Sequence, residues 1–455
     1  MAAGYGFYCA SGLKNLLYIL STTVTTFFAG LYIGKGQKVS EEDDETEGNN
    51  TNCRLILAVT LIFNFGLLIF SKYFSPFGMQ IESDFNSMFN FSYLGFLVPL
   101  GILFYTLQSS SYIIDIYRKK ITPEKNIFKY ALFVSYFPQL MMGPISKYSE
   151  LETQFFEPEG FDWADLKYGI QLMMWGYFKR MIIADRLAIF TGYLLQTYSE
   201  NGGLVIFFTI FIYGLQLYCN FSGGVDIAIG SSKTLGINLS EGFKRPFFAV
   251  TVSDFFTRWN ISLQRWMKDY LFHPISIWNG FRKNALLSRC VATIIMFLAV
   301  GLWYGFEWQF AAYGLFYGIL ISLGMITEKT FVEIGEKVKI NPNNLILRIL
   351  GVLRTIFLVT ISSYFLWSDS IAHALDMLRK TFINPLPALF FARDTGLKTS
   401  DLIILSASVI ILTAVSVVQE KGYSIREILE EKNRFVQGLS VFAMLFILTF
   451  FGIYS

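Results

Sequence analysis

Between Thr251 and Ile275 the chain reads TVSDFFTRWNISLQRWMKDYLFHPI, a density of polar side chains that water would normally keep. Asp254, Arg258, Asn260, Gln264, Arg265, Lys268 and Asp269 alternate there with Trp259, Trp266 and Tyr270. The wider stretch from Phe243 to Arg289 carries Lys244, Arg245, Arg258, Arg265, Lys268, Arg282, Lys283 and Arg289 against the carboxylates Asp254 and Asp269. A local positive field of this kind can receive a phosphate-bearing donor, such as a coenzyme or a carrier-protein arm. The same cations also fit a purely topological reading, in which they mark the cytoplasmic side of a membrane. Trp259 and Trp266 are seven apart, and so are Arg258 and Arg265. That spacing predicts one aromatic and one adjoining cationic helical face, as the wall of a polar cavity requires.

The elements that must position these groups are membrane helices. Of 455 residues, 53% are hydrophobic and only 16% charged, and many apolar runs reach the roughly 20 residues that cross about 30 Å of hydrocarbon. The class is a polytopic, all-helical membrane protein forming one multi-pass domain over 1–455, lying in membrane lipid. A net charge of +3, with the cations gathered in loops, gives no nucleic-acid surface. Cys9, Cys53, Cys219 and Cys290 lie far apart without metal-ligand spacing, so they read as apolar fillers and loop thiols; no metal site and no disulfide framework are expected.

The first span runs from Leu16 to Gly34, after a lead-in without a cationic region or small-residue cleavage site, which argues against a cleaved signal peptide. The stretch 35–54, with six carboxylates between Glu41 and Glu47, reads as an acidic, mobile loop. Spans follow over Leu55 to Phe74 and Ser92 to Leu107, the latter ending in the polar QSSSYIIDIYRKK, whose cations with Lys125 place this end in the cytoplasm. Pro138 and Pro144 flank Gly143, so the segment from Tyr130 to Met142 must break and satisfy its freed backbone groups inside the protein. Phe161 to Leu195, interrupted by Lys179, Arg180, Asp185 and Arg186, is too polar for a simple lipid-facing span. Leu204 to Phe221 is a clean span leading into SGGVDIAIGSSK, where Gly223, Gly224 and Gly230 permit close backbone approach and Asp226 stands alone among apolar residues. Val291 to Leu302, Gln309 to Ile326, Ile346 to Leu366, Leu402 to Val418 and Phe435 to Tyr454 complete about ten to eleven crossing or embedded helices.

FKRPFFAVTVSDFFTRWNISLQRWMKDYLFHPI resembles the signature of the membrane-bound O-acyltransferase family, in the branch of the alginate O-acetylation and teichoic-acid D-alanylation proteins. The segments 101–120, 135–148, 176–187, 215–246, 300–318 and 363–382 are similar to the alginate branch in the same order, so the resemblance covers roughly residues 1–385. It implies helices around a polar tunnel and a multi-pass protein of a bacterial plasma (inner) membrane. It implies that an acetyl or similar acyl group passes from a cytoplasmic thioester, acetyl-CoA or an acyl carrier protein, with no tightly bound cofactor. It further implies a cell-surface polysaccharide as acceptor, reached through an extracytoplasmic SGNH hydrolase-like partner.

Acyl transfer needs a positioned hydroxyl, a base and donors for the developing oxyanion. The resemblance places the family's basic histidine at Tyr304, within Gly301-Leu302-Trp303-Tyr304-Gly305, and puts Asn260 where this branch carries histidine. On this reading Tyr304 occupies the catalytic position and Asn260 orients substrate or stabilises the oxyanion. Asp254, Arg258, Trp259, Trp266, Asp269 and Trp303 build the pocket and donor entrance. His273, directly after the motif, is the alternative base, and His373 is the other histidine of the chain. A tyrosine with pKa near 10 is a poor base, so the alternative to an enzyme is a catalytically silent scaffold that recruits an extracytoplasmic transferase.

Overall fold

The computed structural model describes residues 2–10, 13–42, 51–71, 101–140, 142–157, 160–278, 284–337, 344–383 and 395–453. Among these residues the chain is helical without strands, and eight helices are long and apolar enough to cross a membrane. The acidic positions 43–50 lie outside the described residues. The chain divides into two compact units, Met1–Trp163 with Leu235–Ser240, and Ala164–Thr234 with Glu241–Ser455.

The first unit contains α1 (Ala2–Ala10), α2 (Leu13–Glu42), α3 (Thr51–Ser71), α4 (Ile102–Tyr117), α5 (Ile127–Val134), α6 (Phe137–Leu140) and α7 (Tyr148–Phe156). Helix α2 continues to Glu42, past Lys35, where the sequence reads a loop; lysine, glutamine and glutamate are good helix formers and carry the backbone on. Of the span read over Ser92 to Leu107, residues 92–100 lie outside the described ones. The described helix takes in the polar run Gln108 to Tyr117 as well, starting after Gly101 at φ +70°. Its small serines are buried, and Gln108 Nε2 donates to the Phe133 carbonyl at 3.0 Å. That carbonyl is freed because α5 stops before Pro138, so the break brings its own partner from a neighbouring helix. Gln154 and the Asn238 backbone exchange two hydrogen bonds, 2.7 and 3.2 Å, tying 235–240 to this unit.

The second unit begins with α8 (Trp163–Tyr177), which passes through a π-helical turn, Phe178–Ala184, directly into α9 (Asp185–Gln196). Beside it lies α10 (Gly203–Lys233), longer than the span read to Phe221: the glycines continue the helix instead of ending it. The reason is packing. A Cβ on Gly169 would meet the Gly230 carbonyl oxygen at 2.5 Å, and one on Gly223 the Gly176 carbonyl at 2.7 Å. Two glycines seven apart on each helix thus allow backbone contact, the small-residue crossing common in membranes. The π turn aims Lys179 inward, where its ammonium lies 2.9 Å from Asp226 and donates to Ser222 at 3.0 Å. Asp226 is therefore paired, as an ionisable group at membrane depth must be.

After the central motif come α14 (Ala285–Tyr304) and α15 (Trp308–Lys337), a tight hairpin in which Gly301 and Gly314 each abut the opposing backbone. Then follow α16 (Leu345–Trp367), the amphipathic α17 (Ile371–Ile383), α18 (Thr399–Glu420), the short α19 (Ile425–Glu430) and α20 (Arg434–Phe451). Phe255, Phe256, Trp259, Phe297, Tyr313 and Tyr317 share the buried core of this unit.

Candidate active site

The central motif folds as α11 (Val252–Arg258), α12 (Ile261–Met267), a second π turn, Lys268–Phe272, and α13 (His273–Ser276). Thr251 caps α11, its hydroxyl accepting from the Asp254 amide at 3.0 Å. Between α11 and α12, Asn260 sits at φ +46°, a left-handed conformation that asparagine tolerates better than most residues. The helix breaks there. Trp259 and Trp266 therefore belong to different elements, and so do Arg258 and Arg265, which corrects the single helical face expected from their spacing.

Two backbone bonds hold the break in place: Lys244 N donates to Arg258 O and Ile261 N to Gly242 O, each at 2.8 Å. The preceding turn is fixed to α16, with Thr355 and Arg354 donating to the Val250 carbonyl at 2.9 and 3.2 Å.

Asp254 and Arg258 form an intrahelical pair at 2.9 Å. Arg258 also reaches Glu420 at the end of α18, at 3.1 Å. Arg245 contacts the same carboxylate at 2.9 Å and Arg348 at 3.3 Å. Burial would depress the Arg258 guanidinium, but its bonds to Asp254 and Glu420 outweigh that and hold it above its ordinary value. Three guanidiniums thus share two carboxylates, leaving a net positive, half-buried cluster. Glu420 was missed in the sequence, where it is simply the polar end of an apolar run.

Trp259, one residue on, is buried. Its indole N–H donates to the Tyr304 hydroxyl at 3.2 Å, its ring stacks on Phe255 and meets the edge of Phe243, both at 5.3 Å. Tyr304, the last residue of α14, is half-buried between the rings of Trp303 and Tyr313, at 5.3 and 5.7 Å. Tyr313 in turn packs on Tyr317, which hydrogen bonds Ser362. The structure thus joins the two sequence motifs directly, through one indole-to-phenol bond.

The other candidates are spread around this pair. Trp303 is buried; Trp266 is buried and packs on Tyr270 at 5.1 Å; Asp269 is half-buried in the π turn. His273 is exposed at the start of α13, against Phe272. His373 lies on α17, its ring 5.2 Å from Tyr198.

Residues 121–329 match the family described as MBOAT, membrane-bound O-acyltransferase family. By that stretch the chain resembles the membrane-bound O-acyltransferases. Relatives of this family include the Helicobacter pylori peptidoglycan O-acetyltransferase, 31% identical over 70% of this chain and 62% of its own length. A probable alginate O-acetylase of Pseudomonas aeruginosa is 29% identical over 71% and 59%, and the Bacillus subtilis teichoic acid D-alanyltransferase 27% over 58% and 67%. The chain thus spans about six-tenths of the length of the first two. The matched acyltransferase segment runs from the loop before α5 to the last turns of α15, and so contains the broken motif, Trp259 and Tyr304. Glu420 lies outside it and closes the arginine cluster from beyond the matched segment.

Proposed function

We propose that this chain serves the O-acylation of a cell-surface polysaccharide in a bacterial plasma membrane, taking an acetyl or similar group from a cytoplasmic thioester. The observation that carries this reading is the central motif, whose arginine cluster stands immediately beside the Trp259–Tyr304 pair. Guanidinium forks suit the phosphates of acetyl-CoA or of a carrier-protein arm. The basic segment marks this end as cytoplasmic. The names of the relatives support a polysaccharide or similar envelope acceptor, and an extracytoplasmic SGNH hydrolase-like protein would take the group onward. Asn260 would orient the acceptor or stabilise the oxyanion, while Asp254, Arg258, Trp266, Asp269 and Trp303 shape the pocket around it.

A second reading is favoured by Tyr304 itself. Its hydroxyl already accepts from Trp259, and its ring is enclosed by aromatics. A phenol with pKa near 10 in place of a base costs about 10²- to 10⁴-fold in rate. On this reading the chain is a silent scaffold for an extracytoplasmic transferase.

The deciding measurement is transfer of radiolabelled acetyl from acetyl-CoA by the purified full chain with such a partner, compared with Tyr304→His. Label above a no-protein control in the natural chain supports the transferase. Label only with Tyr304→His supports an intact but silent site. No label with either protein, across acetyl-CoA and acyl carrier donors, rejects acyl transfer and leaves the scaffold.

A further inference from the structure

A cavity of about 250 Å³ opens in the second unit between α8, α18, α19 and α20, on residues that the acyltransferase reading does not use. Its walls are graded along each helix. On α18 the lining residues Gln419, Val415 and Ile411 follow at intervals of four, one face of the helix. Eight residues at 1.5 Å each make that face about 12 Å deep, comparable with the roughly 15 Å of hydrocarbon in one leaflet. On α8, Gln171 gives way to Met174 and Trp175, and on α20 Ser440 gives way to Met444. All three helices thus place amide or hydroxyl groups near one end and apolar side chains farther in.

The polar end carries Arg426 of α19. Its guanidinium lies over the Tyr168 ring, 4.4 Å from the centroid, and among the described residues it has no carboxylate within ion-pair distance. The buried Gln171 Oε1 accepts no hydrogen bond there. This end is the one that also bears Glu420 and the arginine cluster, which the positive-inside asymmetry assigns to the cytoplasmic leaflet, where anionic lipids concentrate.

We propose that this cavity holds one acyl chain of an anionic phospholipid of the cytoplasmic leaflet, with the headgroup against Arg426 and Gln171. The apolar depth takes the chain, the unpaired guanidinium takes the phosphate, and the free carboxamide oxygen takes a headgroup hydroxyl. The site stands apart from Tyr304, so its test reads bound lipid and is independent of acyl transfer.

The test is native mass spectrometry of the detergent-solubilised full chain with dioleoyl phosphatidylglycerol, dioleoyl phosphatidylcholine or glycerol phosphate. One cation near the membrane surface contributes about 1 kcal/mol toward an anionic lipid, so phosphatidylglycerol is expected to be retained about fivefold better than phosphatidylcholine. Arg426→Gln removes that preference, whereas Val441→Trp, which fills the cavity, lowers retention of both lipids. Arg379→Gln, on the exposed side of α17, leaves the preference in place. Equal retention of the two lipids, an undiminished preference in Arg426→Gln, or full retention in Val441→Trp overturns the proposal. Displacement of phosphatidylglycerol by glycerol phosphate also overturns it, because the site would then read a free phosphate and no chain.

Discussion

At Arg258 the central motif is tied to α18 by charge; at Trp259, the next residue, it is tied to α14 by stacked rings and a single neutral hydrogen bond. The charged anchor depends on one residue, because Glu420 is the shared partner of Arg245, Arg258 and Arg348. The aromatic anchor is spread over many contacts, any one of which contributes little. Neighbouring residues therefore fail differently. Loss of a counter-ion strands charges that have already left water, whereas loss of a hydroxyl leaves the packing in place.

The largest effect is expected from Glu420→Gln. With side chains only 15 to 19% exposed at Glu420, Arg245 and Arg258, removing the carboxylate costs about 3 kcal/mol, read as a fall in the thermal midpoint of the detergent-solubilised protein. A midpoint close to that of the natural chain would show that Asp254 alone suffices and that the charged anchor is not special.

Helix α10 supplies Tyr218 to the Trp259 cluster, so its crossing with α8 tests the aromatic side. Gly223→Ala forces the helices apart at the Gly176 carbonyl and is expected to cost about 1–3 kcal/mol, with a matching loss of monodisperse protein on size exclusion. Tolerance of alanine would mean that the crossing relaxes without disturbing the cluster. Tyr304→Phe, which removes only the acceptor of the Trp259 indole, should cost about 1 kcal/mol, and the environment of Trp259 should change in tryptophan fluorescence. A loss as great as that of Glu420→Gln would erase the distinction between the two anchors.

The smallest effect separates burial from charge. On α17 the half-buried Asp376 accepts from Tyr198 at 2.9 Å and pairs with Lys380 at 3.2 Å, and these bonds hold its carboxyl below the usual aspartate value. A depressed carboxylate stabilises the fold above its unfolded pKa, about 3.9, and that contribution disappears as pH falls through the lower folded value. Asp376→Asn is therefore expected to lower the midpoint slightly at pH 7 and not at all at strongly acid pH. A difference that persists in acid would assign the effect to packing instead of charge.

Much of this architecture was legible from local chemistry. Hydropathy marks the long helices because each backbone group in lipid must be satisfied within its own segment. Pro138 and Gly143 announce a break in the same way, since proline removes a donor wherever it stands. Motif order likewise pointed to the acyltransferase family, because those side chains are read directly from the sequence. The helix break at Asn260 was less accessible: seven-residue spacing suggests a continuous face, and only the two backbone bonds to Gly242 and Lys244 make the left-handed turn the better solution. The glycines of α10 were legible as points of close backbone approach, but that the backbone they meet is α8, and that the helix runs through them to Lys233, was not.

What the sequence alone determined was therefore the helical membrane class, the polar motif and the unusual tyrosine at position 304. Which groups those residues face was decided by tertiary structure. Trp259 finds Tyr304, Lys179 finds Asp226, and Arg258 finds Glu420, each across a separation that periodicity does not encode. The reason is that burying a charge or an indole N–H is unfavourable until a partner is present, and that partner is supplied by whichever helix packing brings into reach.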